Sequence, residues 1–475
     1  MDFIVLAILN VIFYIRTIGY GCIIDDLAAQ ERLPEVKTQD FWVNLWRQFK
    51  QDYMESPALG HLFSFTLHTI NTMLIYVLFG RTPVAMLTAA LFCINPVNNM
   101  AAVWMSGRPY SLATMFILIG FCFPILFPIV YPIAFLWSIN STFSPLMFVV
   151  LGMPWMAVML PIMGIVGSKT HINTLKLRHE VLPEYLKKFE IRNLILVFKT
   201  VGYYTLLCIF PIRLGMCHSY LHSFGFSREE TEKWYKLDWF FAAGIALIAF
   251  GIMGSIYFGM LFMFGFIWYL AHILQWCNWK LITHPITERY LYLANVGLMF
   301  FLAKLIIGTG FEYAFLTLYA ILNWKYIPVY KNCLVYWKSN VENFPDVAMG
   351  YNQYGLELKA RKYLGTAFDV YIAGLKVRPN DFRLSFNSSF LLIEQGRFDI
   401  IGKFLLNAEK NLPEGSNGEM FRPTLNKMKE ECAKHGLIFE DGVPVVDQKE
   451  PVKEEVSKAE EKGAENGTDI PGLTK

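Results

Sequence analysis

Charged residues are scarce in this chain. Lys, Arg, Asp and Glu make up 17% of its 475 residues, against about 25% in an ordinary soluble protein. That deficit excludes a purely soluble globular enzyme. It is also uneven: residues 3–328 are a succession of apolar runs, whereas residues 331–475 read as ordinary soluble protein. A chain lying wholly in the membrane is therefore excluded too. The net charge is only +3 and no Lys/Arg-rich cluster stands out, so no nucleic-acid partner is expected. Metal-ligand spacing of the CxxC or Cys/His kind is lacking. The eight cysteines (Cys22, Cys93, Cys122, Cys208, Cys217, Cys277, Cys333 and Cys432) are scattered, mostly within apolar runs, and read as buried thiols rather than a disulfide frame. The N-terminus has neither a basic region nor a small-residue cleavage site, so residues 3–19 read as a first membrane helix.

What is present is apolar: 55% hydrophobic and 16% aromatic residues. A spanning helix needs roughly 20 mostly apolar residues. Runs of that kind cover 3–20, 58–79, 83–97, 109–127, 145–167, 193–214, 239–258, 259–278, 289–308 and 310–327. A proline-broken run at 124–145 brings the expectation to about 11 spans. The expected fold is all-α: a polytopic membrane domain at 1–328, a short helical-repeat domain at 329–440 and a disordered Glu/Lys/Gly-rich tail at 441–475. The loop at 21–56 carries four basic and seven acidic residues, and the loop at 169–192 six basic and three acidic. Basic loops stay cytoplasmic, which puts the first loop outside. Within it Phe41, Trp42, Leu45, Trp46 and Phe49 recur at helical spacing, as in an amphipathic helix on the membrane surface or one that packs.

Pro345, Pro379 and Pro413 are 34 residues apart, the period of a tetratricopeptide repeat. Phasing on them starts one repeat at Ala348, with Tyr351, Tyr354, Gly355, Ala367, Tyr371, Gly374 and Pro379 at signature places. A weaker one starts at Phe382, with Leu392, Phe398, Leu405, Ala408 and Pro413, and residues 416–436 supply a capping helix. Such stacks bind peptides or proteins. Two repeats fall short of the roughly three that stand alone, so the module is expected to lean on the membrane domain.

Few polar groups interrupt the apolar runs, and these are the candidate chemistry. Asp25 and Asp26 follow the first run directly. Adjacent carboxylates raise each other's pKa and suit one of them to act as a base toward a hydroxyl, although a solvated loop pair or helix cap has the same pattern. His61, His68 and Asn71 share one face of the second helix. Asn95-Pro96-Val97-Asn98-Asn99 and Ser106-Gly107-Arg108 read as a short polar loop on the outer face. Lys199, Tyr203, Tyr204 and Arg213 lie in or at the end of one run, and Thr287-Glu288-Arg289-Tyr290-Leu291-Tyr292 opens another. Cations near the interface hold lipid phosphates, with Glu288 orienting Arg289, or simply snorkel. No third ligand accompanies the histidines, so a divalent metal is not supported. Asn140-Ser141-Thr142 and Asn387-Ser388-Ser389 fit the N-glycan acceptor pattern without deciding a compartment.

Taken in order, these pieces resemble the tetratricopeptide-containing O-mannosyltransferases and their bacterial relatives, within the C-type superfamily of polyprenyl-phosphate-sugar-dependent glycosyltransferases. The likeness covers about residues 1–415. Asp25-Asp26 matches the family's first-loop DD, and His61-Leu62 with His68 and Asn71 its histidine helix. Pro96-Val97 with Gly107-Arg108, Lys199-Thr200 with Gly202-Tyr203-Tyr204, and Glu288-Arg289-Tyr290-Leu291-Tyr292 match the motifs that follow. The family's loop histidines and glutamate are here Asn95, Asn98 and Met100. The resemblance implies transfer of a hexose, mannose in the family, from a dolichyl- or undecaprenyl-phosphate donor to a hydroxyl of a protein, glycan or lipid. It implies a multi-pass protein of the bacterial inner membrane or the endoplasmic reticulum, acting on the periplasmic or lumenal side. Asp25 would be the base and Asp26 its neighbour that positions the acceptor or tunes it. Arg289, Glu288, Lys199, Arg108 and Tyr290 would bind the donor phosphate or sugar, and His61, His68, Asn71 and Tyr203 would shape the cavity. The repeats would present a protein acceptor. The alternative is a non-catalytic lipid-carrier binder or transporter that kept the fold.

Overall fold

Proline and glycine set the limits of the apolar runs. The structure, a computed structural model, describes residues 1–27, 56–160, 190–216, 218–220, 232–277, 286–412, 416–440 and 443–446. Helix α1 (Asp2–Tyr14) passes into a 3-10 turn at Ile15–Gly19. Helix α2 (Pro57–Leu78) begins on a proline, whose fixed φ and missing N–H suit a first turn. Helix α3 (Pro83–Ile94) does the same, and the Thr82 hydroxyl caps it by accepting the Ala85 N–H at 3.1 Å. Pro96 then ends it, and the chain resumes over 96–102 after a 54° bend. Helices α4 (Arg108–Cys122) and α5 (Phe127–Trp137) are divided around Pro124. Helix α6 (Asn193–Ile209) stops two residues before Pro211. Helix α7 (Trp239–Phe258) is capped by Asp238, which accepts the Phe241 N–H at 3.0 Å. Gly259, at a φ of +83°, separates it from α8 (Met260–Ile273), a backbone state that side chains with a Cβ disfavour. A 3-10 turn at Glu288–Tyr290 leads into α9 (Leu291–Ile306), followed by α10 (Phe311–Tyr326).

Among the described residues four helical stretches are long and apolar enough to cross a membrane: Asp2–Gly19, Pro57–Leu78, Trp239–Phe258 and Glu288–Ile306. Counting the bent pair at 83–102 as one span gives five. Among the described residues the expected eleven are not all present, partly because the run at 145–167 extends beyond them and partly for local reasons. Prolines 96, 124 and 211 cut three runs short, and residues 139–158 fold mostly as 3-10 turns. Residues 124–137, 193–209 and 260–276 form apolar helices below membrane-spanning length.

Helix α9 is the central post. It packs on α3, α4, α6 and α8, and 83% of its membrane-length window is buried, against 22% for α7. Helix α6 meets α7 through Gly202 and Gly244. A Cβ on Gly202 would lie 2.0 Å from the Phe240 carbonyl oxygen, and one on Gly244 would lie 2.1 Å from that of Phe198. The two backbones are therefore in direct contact, the packing mode open to helices in lipid.

By contact density the chain divides into Met1–Pro379 and Asn380–Lys475, later than the composition change at residue 328. In the first unit α11 (Cys333–Asn343) is followed by a pair of packed helices, α12 (Ala348–Ala360) and α13 (Leu364–Val377). The second unit begins with another packed pair, α14 (Phe382–Glu394) and α15 (Ile401–Lys410), then α16 (Ser416–Lys434). Both pairs start at the residues that the 34-residue period indicates. A two-stranded antiparallel hairpin, β1 (Leu437–Glu440) with β2 (Val443–Val446), closes the described chain, so four residues expected in the disordered tail are paired. The expected surface helix at 41–49, Pro413 and most of the tail lie outside the described residues.

Candidate functional site

The turn after α1 separates the two aspartates. Ile24 has a φ of +52°, a costly value for a β-branched residue, and its N–H donates to Cys333 Sγ at 3.2 Å. The resulting turn leaves Asp25 exposed and Asp26 fully buried. Asp26 Oδ1 accepts the Ser106 N–H at 2.8 Å and the Ser106 hydroxyl, and Oδ2 accepts the Ile23 N–H at 3.3 Å. Burial pushes the Asp26 carboxyl up to about 6, against the hydrogen bonds from Ser106 and the charge of Arg108. Asp26 thus ties the turn at Ile23 to Ser106, and of the two aspartates Asp25 lines the neighbouring space.

That space is a cavity of about 500 Å³. Asp25 and Arg289 line it together, with Met216, α11 and α12 forming other parts of the wall. Arg289 comes from the 3-10 turn ahead of α9. Its guanidinium lies 5.4 Å from the Trp104 ring centre and 5.3 Å from that of Tyr290. Tyr290 is stacked on Trp276 at 3.6 Å and 6°. Aromatic faces hold a guanidinium without neutralising it, which leaves the charge for an anion in the cavity.

The other expected residues fall into three groups elsewhere. Arg108, at the start of α4, is buried beside Asp26, with its guanidinium 5.4 Å from the Phe63 ring centre. His61 of α2 is buried nearby and faces the Gly21 carbonyl at 3.3 Å. His68 lies deeper, with Nδ1 2.7 Å from the Tyr292 hydroxyl and Nε2 3.0 Å from the Cys93 carbonyl. Asn71 donates to Ser111 O at 2.9 Å and to Tyr292 at 3.2 Å. The third group sits around α6. Lys199 Nζ donates to the carbonyls of Trp234 and Lys236, at 2.8 and 3.0 Å, and pairs with Asp238 at 2.8 Å. Tyr203 stacks on Tyr220 and lies 3.0 Å from His218 Nδ1. Glu288 is fully buried, accepts the Gly215 N–H and lies 3.2 Å from His218 Nε2, so its contacts are not with Arg289. Of the expected set, only Asp25 and Arg289 line the cavity.

The stretch 95–99, expected as an outer polar loop, is buried throughout. Asn95 donates to Cys208 O at 2.9 Å, Asn98 to Phe92 O at 2.7 Å and Asn99 to Asn323 Oδ1 at 2.7 Å. Asn295 donates to Asn98 at 3.1 Å. These amides tie α3, α6, α9 and α10 together, and Met100 lies buried in the apolar core. Asn140, of the first glycan acceptor pattern, is buried and donates to Tyr290 O at 3.1 Å.

Sequence reasoning missed the wall opposite the aspartate turn. Met349, Gln353 and Glu357 are spaced four residues apart on α12, as are Cys333 and Trp337 on α11, so one stripe of each helix faces the cavity. That spacing was the available signal, but the residue types carry no chemical pattern. Among the described residues no three His, Cys, Asp or Glu side chains converge, and no metal ligand set is assigned. Compared with protein-family models, curated proteins and solved structures, the chain gives no match.

Proposed function

We propose that this chain is a polytopic membrane glycosyltransferase that moves a sugar from a polyprenyl-phosphate donor to a hydroxyl acceptor on the outer or lumenal face. The observation that carries the reading is the meeting of Asp25 and Arg289, far apart in sequence, in one cavity of about 500 Å³. In this reading the donor phosphate rests against Arg289, and Asp25 accepts the proton of the acceptor hydroxyl. The oxygen attacks the anomeric carbon as the carbon–oxygen bond to phosphate breaks. Charge then grows on the leaving phosphate, where a guanidinium in a shielded site stabilises it. Helices α12 and α13 act as the first of the tetratricopeptide-like repeats. Met349, Gln353 and Glu357 of α12 line the same cavity as the base.

The test is donor turnover by the purified chain, supplied with dolichyl- or undecaprenyl-phosphate mannose and candidate peptide acceptors. A general base contributes about 10²–10⁴-fold, so Asp25→Asn is expected to lose at least about 10²-fold in turnover while still binding donor. Unchanged turnover in that variant removes Asp25 as the base. Burial of Met100 in the core favours a second reading, a lipid-carrier binder without chemistry, because the resembled family has an acidic residue at that place. Donor binding without turnover in the unmodified chain, across both carriers and all acceptors, would establish it.

A further inference from the structure

Behind the cavity wall lies a buried joint that the proposed transfer does not use. Arg289 and Met216 both line the cavity, and each is next in sequence to a residue of this joint. Glu288 Oε1 accepts the Gly215 N–H and lies 3.2 Å from His218 Nε2. Glu288 Oε2 has no hydrogen-bond partner among the described residues, although the side chain is fully buried. On the other side of the imidazole, Nδ1 lies 3.0 Å from the Tyr203 hydroxyl, and the ring rests against Phe344 at 4.7 Å. The Met216 N–H donates to Asn340 Oδ1 at 2.8 Å. One carboxylate therefore ties the 3-10 turn that carries Arg289 to the loop that carries Met216, and one histidine braces that carboxylate against α6. Burying a carboxylate is costly unless it is partnered, and here one oxygen holds a single hydrogen bond and an ion-pair contact with His218, while the other has no partner among the described residues. A glutamine could keep the Gly215 contact through its amide oxygen, but it would lack the charge that faces His218.

We infer that Glu288 and His218 are positioning residues: they fix the backbone under Arg289 so that its guanidinium is already aimed at a phosphate in the cavity. This rests on the donor role proposed for Arg289. A guanidinium held over Trp104 and Tyr290 from one side needs a fixed main chain on the other, because a small misplacement of a binding group forfeits much of its effect.

The test is binding of dolichyl phosphate to the full chain in detergent micelles, titrated by native mass spectrometry. Arg289→Ala is expected to weaken binding about tenfold, the worth of one charge-assisted phosphate contact. Glu288→Gln is expected to weaken it about fivefold or more, and the double variant to bind no worse than Arg289→Ala alone. That non-additivity is a readout which general destabilisation does not give. His218→Gln repeats the comparison if Glu288→Gln fails to fold. Weakened binding in Arg289→Ala with unchanged binding in Glu288→Gln and His218→Gln overturns this inference alone. Additive losses in the double variant overturn it as well. Unchanged binding in Arg289→Ala overturns the donor role and this inference with it.

Discussion

At the scale of single residues, two adjacent aspartates have opposite environments, and the difference is measurable. The carboxyl of Asp26 is pushed up to about 6 by burial. Its folded pKa is thus above its unfolded value, so the folded chain holds this proton where the unfolded chain has lost it. Stability from this group is full below the unfolded pKa and falls as pH rises toward 6. Thermal unfolding in detergent should show the melting temperature declining between about pH 4 and 6, worth about 3 kcal/mol in total. Asp26→Asn should flatten that decline, and an unchanged slope would assign the titration to another group. Lys199 offers a second case. Its ammonium is buried and paired with Asp238, whose own carboxyl is nudged up by burial but held below the usual range by Lys199, Tyr220 and the Phe241 N–H. Lys199 is buried whereas Asp238 is a third exposed, so an ammonium left without its carboxylate costs more than a carboxylate left without its ammonium. Asp238→Ala should therefore destabilise by up to about 3 kcal/mol and Lys199→Met by less, as read by their melting temperatures. The reverse order would mean that the carbonyls of Trp234 and Lys236 alone satisfy the ammonium. Legibility at this scale was partial. The aspartate pair and Arg289 were visible because charges are rare in apolar sequence. The partners of Lys199, Glu288 and Tyr203 were not, because Asp238 and His218 are ordinary residues until the chain folds them against α6.

Helices and turns were more legible than their partners. Prolines 96, 124 and 211 and Gly259 punctuate the sequence and do the same in the structure. The 34-residue proline period located the starts of α12 and α14. Run length misled where a turn divides an apolar stretch, since hydropathy is blind to a 54° bend at Pro96. The stripe of Met349, Gln353 and Glu357 stayed hidden because a thioether, an amide and a carboxylate share no chemistry, only a face. The α6–α7 crossing yields a test at this scale. Gly202 and Gly244 let carbonyls approach where any side chain would collide. Gly202→Val should separate the helices at a cost of about 1–3 kcal/mol. It should also loosen the braces on α6, Lys199 and Tyr203, before it reaches Arg289. A melting temperature equal to that of the unmodified chain would show that the crossing has room to spare.

For the molecule as a whole, the consequential boundary is the one after Pro379. The composition change at residue 328 suggests a membrane part and a soluble part, each with its own job. The fold divides the labour differently, because α11 and α12 belong to the first unit and supply five residues of the cavity wall: Cys333, Trp337, Met349, Gln353 and Glu357. Two truncations separate these views. A chain ending at Pro379 keeps every cavity residue, and it should elute as a single species and bind dolichyl phosphate within about twofold of the full chain, a difference well under 1 kcal/mol. A chain ending at Tyr330 loses α11 and α12, exposes the aspartate turn whose Ile24 N–H donates to Cys333, and should lose that binding. If residues 380–475 present the acceptor, the first truncation should also keep the donor site while losing transfer to proteins. Retained protein modification after truncation at Pro379 would assign acceptor choice to the cavity wall itself, with α12 as its reader. Loss of donor binding in the same truncation would instead tie the second unit to the integrity of the site.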